Sequence, residues 1–372
     1  MDWLVWAGFA ALIALFLFID LGVLNRRPHA ITTREALGWT GMWVSVALTF
    51  SVFVYFAYQN QWFGLGLGQR TADGEAWHYP PMSGLTAATL FLTGYVVEYS
   101  LSLDNMFVIA MIMLHLRVPA QYQLRVLFWG IIGAVVMRGV MILTLTELLE
   151  YFRWLFVVFG LLLIFTAVKM LVVKGDQDIN TESSLVIRAA RRLYPVTPEY
   201  HGQRFLTSVP APGPSGTRMV RAMTPLMLAL LLVETADLVF AIDSIPAIMG
   251  ITLDPFIVLT SNVFAILGLR SLYFALAGMM DRFEHLKTAL VFVLAFIGMK
   301  MIVEYFHLVD IHHGVSVAVI GALLSIGVLA SVLRPSGRPD ASAAAGSGPP
   351  GSGLPAAGGD PPRDADEGAS AT

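Results

Sequence analysis

The chain contains no cysteine and little charge. Without thiols there is no disulfide and no thiolate metal site, so any metal chemistry must use oxygen or imidazole ligands. Charged residues make up only 13% of the 372 positions, hydrophobic residues 56%, and the mean hydropathy is +0.71. A soluble domain needs a charged surface, and a chain this poor in charge, with long apolar runs, has lipid as its solvent. The opening Met1-Asp2-Trp3 lacks the basic stretch of a cleaved signal peptide, so the first apolar segment is read as retained. There is no ATP-binding Walker motif and no HExxH zinc motif. No enzymatic activity, permanent cofactor or nucleic-acid partner is therefore expected.

What is present is an all-α polytopic pattern. Nine segments have the length of about 20 residues that a helix needs to cross hydrocarbon: Trp3–Leu24, Leu37–Tyr58, Leu85–Leu116, Gln121–Thr146, Trp154–Val173, Met223–Met249, Phe256–Met280, Thr288–Phe306 and Gly314–Leu333. Apart from Arg70 and Arg153, every basic residue in a loop or terminus falls on one face, which the positive-inside rule makes cytoplasmic. The N-terminus is then outside and the C-terminus inside. Residues 1–333 read as one transmembrane domain. Lys174–Arg221 is a basic cytoplasmic loop with an amphipathic stretch at Leu185–Tyr194 and a Pro/Gly-rich remainder. Residues 334–372, rich in Gly, Pro, Ala, Ser and Asp, cannot bury a core and read as a disordered cytoplasmic tail.

Charged positions repeat within the spans. Glu98-x5-Asp104-Asn105 corresponds to Asp237-x5-Asp243-Ser244 at an offset of 139, Arg138 to Arg270 at 132, and Lys169 to Lys300 at 131. Each copy holds three spans (about 84–173 and 223–306), so the second must lie inverted relative to the first. Inverted repeats of three plus three helices place a site near the midplane, where their first helices meet.

That is where the acids lie. A charge at the bilayer centre costs roughly 2.5–3.5 kcal/mol even on the lowest scale, so Glu98, Asp104, Glu234, Asp237 and Asp243 need partners, protons or ions. With Asn105 and Ser244 they form an all-oxygen set suited to a hard divalent cation such as Mn²⁺, Mg²⁺ or Ca²⁺, and desolvated carboxylates can also exchange protons. Residues six apart on a regular helix point about 240° apart, so a common site for Glu98 and Asp104 calls for helices broken near Asp104 and Asp243, with Pro246 as the cause in the second. The plainer alternative pairs the acids with Arg138, Lys169, Arg270 and Lys300. It does not account for all of them, because the acids converge on two helices and the bases lie on four others. These bases read as charge-balancing groups, Asn262 as an interhelical hydrogen-bonding residue, Asp20 and Glu304 as interfacial, His307, His312 and His313 as loop histidines, and Asp254 as an outer-loop residue indifferent to substitution.

The strings VVEYSLSLDNMFVIAMIM (Val96–Met113) and VETADLVFAIDSIPAI (Val233–Ile248), with FIDLGVLNRRP (Phe18–Pro28), resemble the TerC/Alx family of bacterial integral membrane proteins. The resemblance spans about Asp20–Leu333 and carries the family's acidic positions onto Glu98, Asp104, Asn105, Glu234, Asp237, Asp243 and Ser244. It implies a bacterial inner-membrane protein of the lysine-exporter-like superfamily, an association with tellurite resistance and, for Alx-type members, manganese export. The expectation is a secondary exporter of a divalent cation, with Mn²⁺ the leading ion, driven by an ion or proton gradient. The alternative is a membrane scaffold or metal-delivery partner for extracytoplasmic metalloproteins or stress complexes, acting through its loops.

Overall fold

The computed structural model describes residues 3–19, 33–67, 69–70, 77–79, 81–172, 188, 192, 194–213, 216–276, 284–309, 311 and 313–333. Asp20, His312, most of the amphipathic stretch at Leu185–Tyr194, and the tail after residue 333 lie outside the described residues. So do the side chains of Asp104, Arg270 and His313.

Nine α-helices of 17 residues or more run through the described residues: α1 (Trp3–Ile19), α2 (Thr33–Gln59), α3 (Gly84–His115), α4 (Ala120–Tyr151), α5 (Leu155–Val172), α6 (Pro225–Met249), α7 (Pro255–Leu276), α8 (Glu284–Tyr305) and α9 (His313–Leu333). Six of them, α2 and α4 to α8, are long and apolar enough to cross a membrane; α1 and α9 are shorter apolar helices. Large apolar side chains such as Trp129, Val136, Val140 and Leu143 on α4 are exposed in a row that suits lipid.

Both acid-bearing helices are continuous. The expectation of breaks near Asp104 and Asp243 is not met: α3 runs unbroken for 32 residues, and α6 carries Pro246 through to Met249. Pro246 lies in the last turn of α6, where its missing N–H removes one hydrogen bond and the amide of Gly250 still donates to its carbonyl at 2.9 Å. The start of α3 is capped by Ser83, whose hydroxyl accepts from the amide of Thr86.

Helix α7 is almost wholly enclosed, packed by α2, α3 and α4. An aromatic cluster joins it to α1, α2 and α3: Phe264 meets Phe50 of α2 at 4.4 Å between centroids, Phe9 of α1 at 6.4 Å and Phe91 of α3 at 5.9 Å. Among α3 to α8 the most extensive pairings are α5 with α8, α3 with α7 and α4 with α6, followed by α3 on α6 and α4 on α7; α2 packs on α3 and α7, and α9 on α8. Helices α5 and α8 cross at Gly160 and Gly298, where a Cβ on either residue would stand 2.7 or 2.6 Å from the other's carbonyl oxygen. Only glycine allows backbones this close.

The Pro/Gly-rich half of the long loop is not irregular. Strands Leu206–Gly213 and Gly216–Met223 form an antiparallel hairpin, in register from Leu206 opposite Met223 to Gly213 opposite Gly216. As a two-stranded ribbon it consists of edges alone, which is why Pro210 and Pro212 are tolerated. It is tied to the helices. Tyr200 donates to the carbonyl of Leu116 at 2.7 Å, Arg125 on α4 donates to Gln203 at 3.1 Å, and the Arg125 guanidinium lies 5.2 Å from the Phe205 ring centroid.

Candidate functional site

The site is built around Arg138, fully buried midway along α4. Its Nε and Nη2 donate to Oδ2 and Oδ1 of Asp237 on α6 at 3.1 and 2.7 Å, a two-pronged carboxylate grip. Its Nη1 donates to Oε1 of Glu98 on α3 and to Oγ of Ser244 on α6 at 3.3 Å. Ser244 Oγ lies 3.5 Å from the same Glu98 oxygen. Asp237 and Ser244 are seven residues apart and share a face of α6. Glu98 reaches them because Gly94, one turn earlier on α3, lets that helix settle against Ser261 of α7 and Ile248 of α6. One guanidinium thus joins Glu98 and Asp237, the two acids that correspond at the offset of 139.

A third carboxylate crowds the same place. Glu234 is one turn before Asp237 on α6, interacts with it electrostatically, and lies in the space left by the missing side chain of Gly133 on α4. Two carboxyl groups therefore share one guanidinium, and a third lies one turn away beside Asp237. Among the described residues Glu98 Oε2 is buried with no hydrogen-bond partner, as are the hydroxyls of Tyr95 and Ser102 on the same face of α3 and both polar side-chain atoms of Asn262 on α7. Other hydroxyls in the spans, those of Thr93, Thr146, Thr235 and Thr260 among them, are satisfied by a carbonyl one turn back. The polar atoms on this face of α3 are not, and neither are the hydroxyls of Thr40, Tyr99 and Ser316. A small cavity adjoins Asp237, walled otherwise by apolar and small residues including Met106, Ile131, Ala134 and Val233.

The remaining candidates sit outside this cluster. Asp243, six residues beyond Asp237, faces α5 instead, where it accepts from Thr166 at 3.1 Å and interacts with Lys169. Lys300 on α8 donates to the carbonyl of Gly250 at the end of α6 at 2.9 Å and pairs with Glu304 at 3.5 Å, which places Glu304 in an ion pair. Asn105 is buried on α3. Among the described residues no three Asp, Glu or His side chains stand close enough together to hold a metal ion. The pairing of acids with bases thus describes Glu98 and Asp237 through Arg138, whereas Glu234 meets no base among the described residues.

Sequence reading missed the glycines that shape the site, Gly133 and Gly94; isolated glycines inside apolar spans were the available signal. It also misjudged Asp254. That residue is buried, caps α7 by accepting from the amides of Phe256 and Ile257 at 3.0 and 3.2 Å, and accepts the Tyr58 hydroxyl of α2 at 2.8 Å. Burial raises its carboxyl above the ordinary value, with the Tyr58 and backbone hydrogen bonds pulling the other way.

The sequence model of the integral membrane protein TerC family matches residues 83–338. An uncharacterized membrane protein of Myxococcus xanthus is 43% identical over 330 residues, covering 89% of this chain and 92% of the relative. A putative membrane-bound redox modulator, Alx, of Escherichia coli (strain K12) is 41% identical over 308 residues, covering 82% and 88%. An uncharacterized membrane protein of Rickettsia bellii is 35% identical over 330 residues, covering 88% and 97%. No solved structure matches the chain.

Proposed function

The chain belongs to the TerC family of integral membrane proteins, and from that premise we propose that it is a secondary transporter exporting a divalent cation, with Mn²⁺ the leading ion. The observation that carries the reading is the excess of acid over base: Glu98 and Asp237 share the single guanidinium of Arg138, half-buried Glu234 lies one turn before Asp237 with no base beside it among the described residues, and Glu98 Oε2 has no hydrogen-bond partner among them. Such an excess calls for a cation or protons. Hard oxygen donors favour Mn²⁺, Mg²⁺ or Ca²⁺ over soft metals.

Nine spans and an inverted repeat complete the reading, and the packing supports it. If α3–α5 and α6–α8 are related by a two-fold axis in the membrane plane, each contact must have its reciprocal. The α3–α7 pairing is matched by α4–α6, and α5 crosses its own counterpart α8. Directions agree as well. Gly94 meets Ser261 and Gly268 meets Tyr99, so α3 and α7 run parallel; Gly133 meets Glu234 and Arg138 meets Asp237, so α4 and α6 do too. The site would open alternately to each side as the halves rock. Export runs outward, driven by an ion or proton gradient, with the acids available for proton exchange. Two points follow from family likeness: residence in the bacterial inner membrane and a link to tellurite resistance. The redox description of the Alx relative cannot act through thiols here, since the chain has none; a redox effect would run through the ion moved.

The alternative of a scaffold or metal-delivery partner places function in the Lys174–Arg221 loop, and the docked hairpin gives it a surface. Elemental analysis of cells with and without the protein, under manganese, calcium and tellurite load, separates the two. The exporter reading expects lower cellular manganese, an effect lost in Asp237→Asn, Asp104→Asn and Asp243→Asn and kept when the hairpin is altered. Normal manganese handling by accumulated acid variants sinks it.

A further inference from the structure

We propose that Arg138 is a tethered counter-cation: it occupies the Glu98–Asp237 pair between transport events, and the exported cation binds by displacing it. The inference rests on the exporter reading above and specifies how that site works.

The geometry makes the two occupants exclusive. Arg138 uses both oxygens of Asp237 and one of Glu98. A divalent cation ligated by these carboxylates stands about 2.0–2.6 Å from the same oxygens. That is the space the guanidinium already fills, and two cations there repel strongly in a medium of low dielectric. The open position is Glu98 Oε2, which has no hydrogen-bond partner among the described residues and shares a face of its helix with the Ser102 and Tyr95 hydroxyls, also without one there. A cation that takes Oε2 first weakens the hold of Arg138 on Oε1 of the same carboxylate. The small cavity beside Asp237 sets the direction in which the guanidinium yields. A helical side chain leans toward the preceding turn, and the cavity beside Asp237 is walled there by Ala134 and Gly130 of α4. Swinging that way, Arg138 keeps Asp237 as its partner while releasing Glu98.

The arrangement answers a problem of every carrier with buried acids. Two bare carboxylates at mid-membrane must be neutralised before the protein can reset without cargo. A tethered guanidinium does so without protons. Its removal should leave a site that holds the ion more tightly but cannot reset empty. Net export then fails while one-for-one exchange, in which the site is always filled, survives.

The test uses the full chain, purified and reconstituted in liposomes, with Mn²⁺ as the probe. Three quantities are measured for wild type, Arg138→Gln and Arg138→Lys: Mn²⁺ affinity by calorimetry, net Mn²⁺ efflux from loaded vesicles, and Mn²⁺-for-Mn²⁺ exchange. Arg138→Gln is expected to bind about tenfold more tightly, because a competing occupant has been removed. Its net efflux should fall by about tenfold or more, and its exchange should stay within about threefold of wild type. Arg138→Lys keeps the charge but not the planar fork, so net efflux should largely return, with affinity between the other two. An unchanged or weaker affinity in Arg138→Gln, with efflux and exchange falling together, overturns the proposal and leaves Arg138 a clamp on the fold. Should Arg138→Gln not yield monodisperse protein, Arg138→Lys decides: tighter binding with efflux retained supports the proposal, and equal or weaker binding overturns it. Failure of wild type to bind or move Mn²⁺ is a different result, which removes the exporter reading and this proposal with it.

Discussion

The carboxylate of Glu234 on α6 occupies the space that a side chain on Gly133 of α4 would fill. The two helices approach there because one partner has no Cβ, and the same approach delivers Asp237, one turn on, to Arg138. Gly133→Ala should force the carboxylate out or the helices apart, destabilising the protein by about 1–3 kcal/mol and lowering export. In thermal unfolding of the purified protein, Gly133→Ala/Glu234→Ala should recover most of the loss, since the clash has gone. A double variant no more stable than the single one would show that Gly133 matters for another reason.

The α5–α8 crossing makes a second prediction. Each of Gly160 and Gly298 lies against the other's carbonyl, and a backbone cannot yield as a flexible side chain can. Gly160→Val and Gly298→Val should each lower the melting temperature and the yield of monodisperse protein, with Gly→Ala milder at both positions. Wild-type melting of either valine variant would contradict the crossing.

Asp254 is expected to matter although it lies in a connection between helices. Asp254→Ala removes the cap of α7 and strands the Tyr58 hydroxyl, a loss of about 1–3 kcal/mol. Asp254→Asn, still an acceptor, should retain most of the stability. The pH dependence has a definite sign. Burial raises this carboxyl in the folded protein, so the folded state binds the proton more tightly than the unfolded chain. Wild type should therefore gain stability relative to Asp254→Asn as pH falls from neutral toward the ordinary Asp value of about 3.9. Melting curves of both proteins across that range check it; an opposite slope would mean that the Tyr58 and amide hydrogen bonds outweigh burial.

Orientation can be read from reporter fusions. A reporter joined after residue 333, or inserted in the Lys174–Arg221 loop, should be active only as a cytoplasmic fusion, because almost all loop and terminal basic residues share that face. Periplasmic activity at either place would reverse the topology and with it the direction of transport.

Some of this was legible without coordinates, and the reason is chemical. Hydropathy marks where helices run, because lipid demands about 20 apolar residues whatever the neighbours are; the nine expected segments each coincide with one of α1 to α9 to within a few residues at most ends. Charge is so rare in the spans that Glu98, Arg138 and Asp237 stand out, and the recurring order of charged positions is what points to a repeat. Which acid faces which base was not legible. A soluble helix shows its inner face by amphipathicity, but lipid is as apolar as a protein core, so helices such as α3 and α6 carry almost no phase in their sequence. Their rotation was decided by close packing at Gly94 and Gly133. With both helices unbroken, that rotation sends Asp237 to Arg138 and Asp243 to Thr166. The sequence by itself determined that acids would lie within two of the apolar helices; only the tertiary structure decided that two of them share one guanidinium, because helix phase in an apolar solvent is set by contact and not by composition.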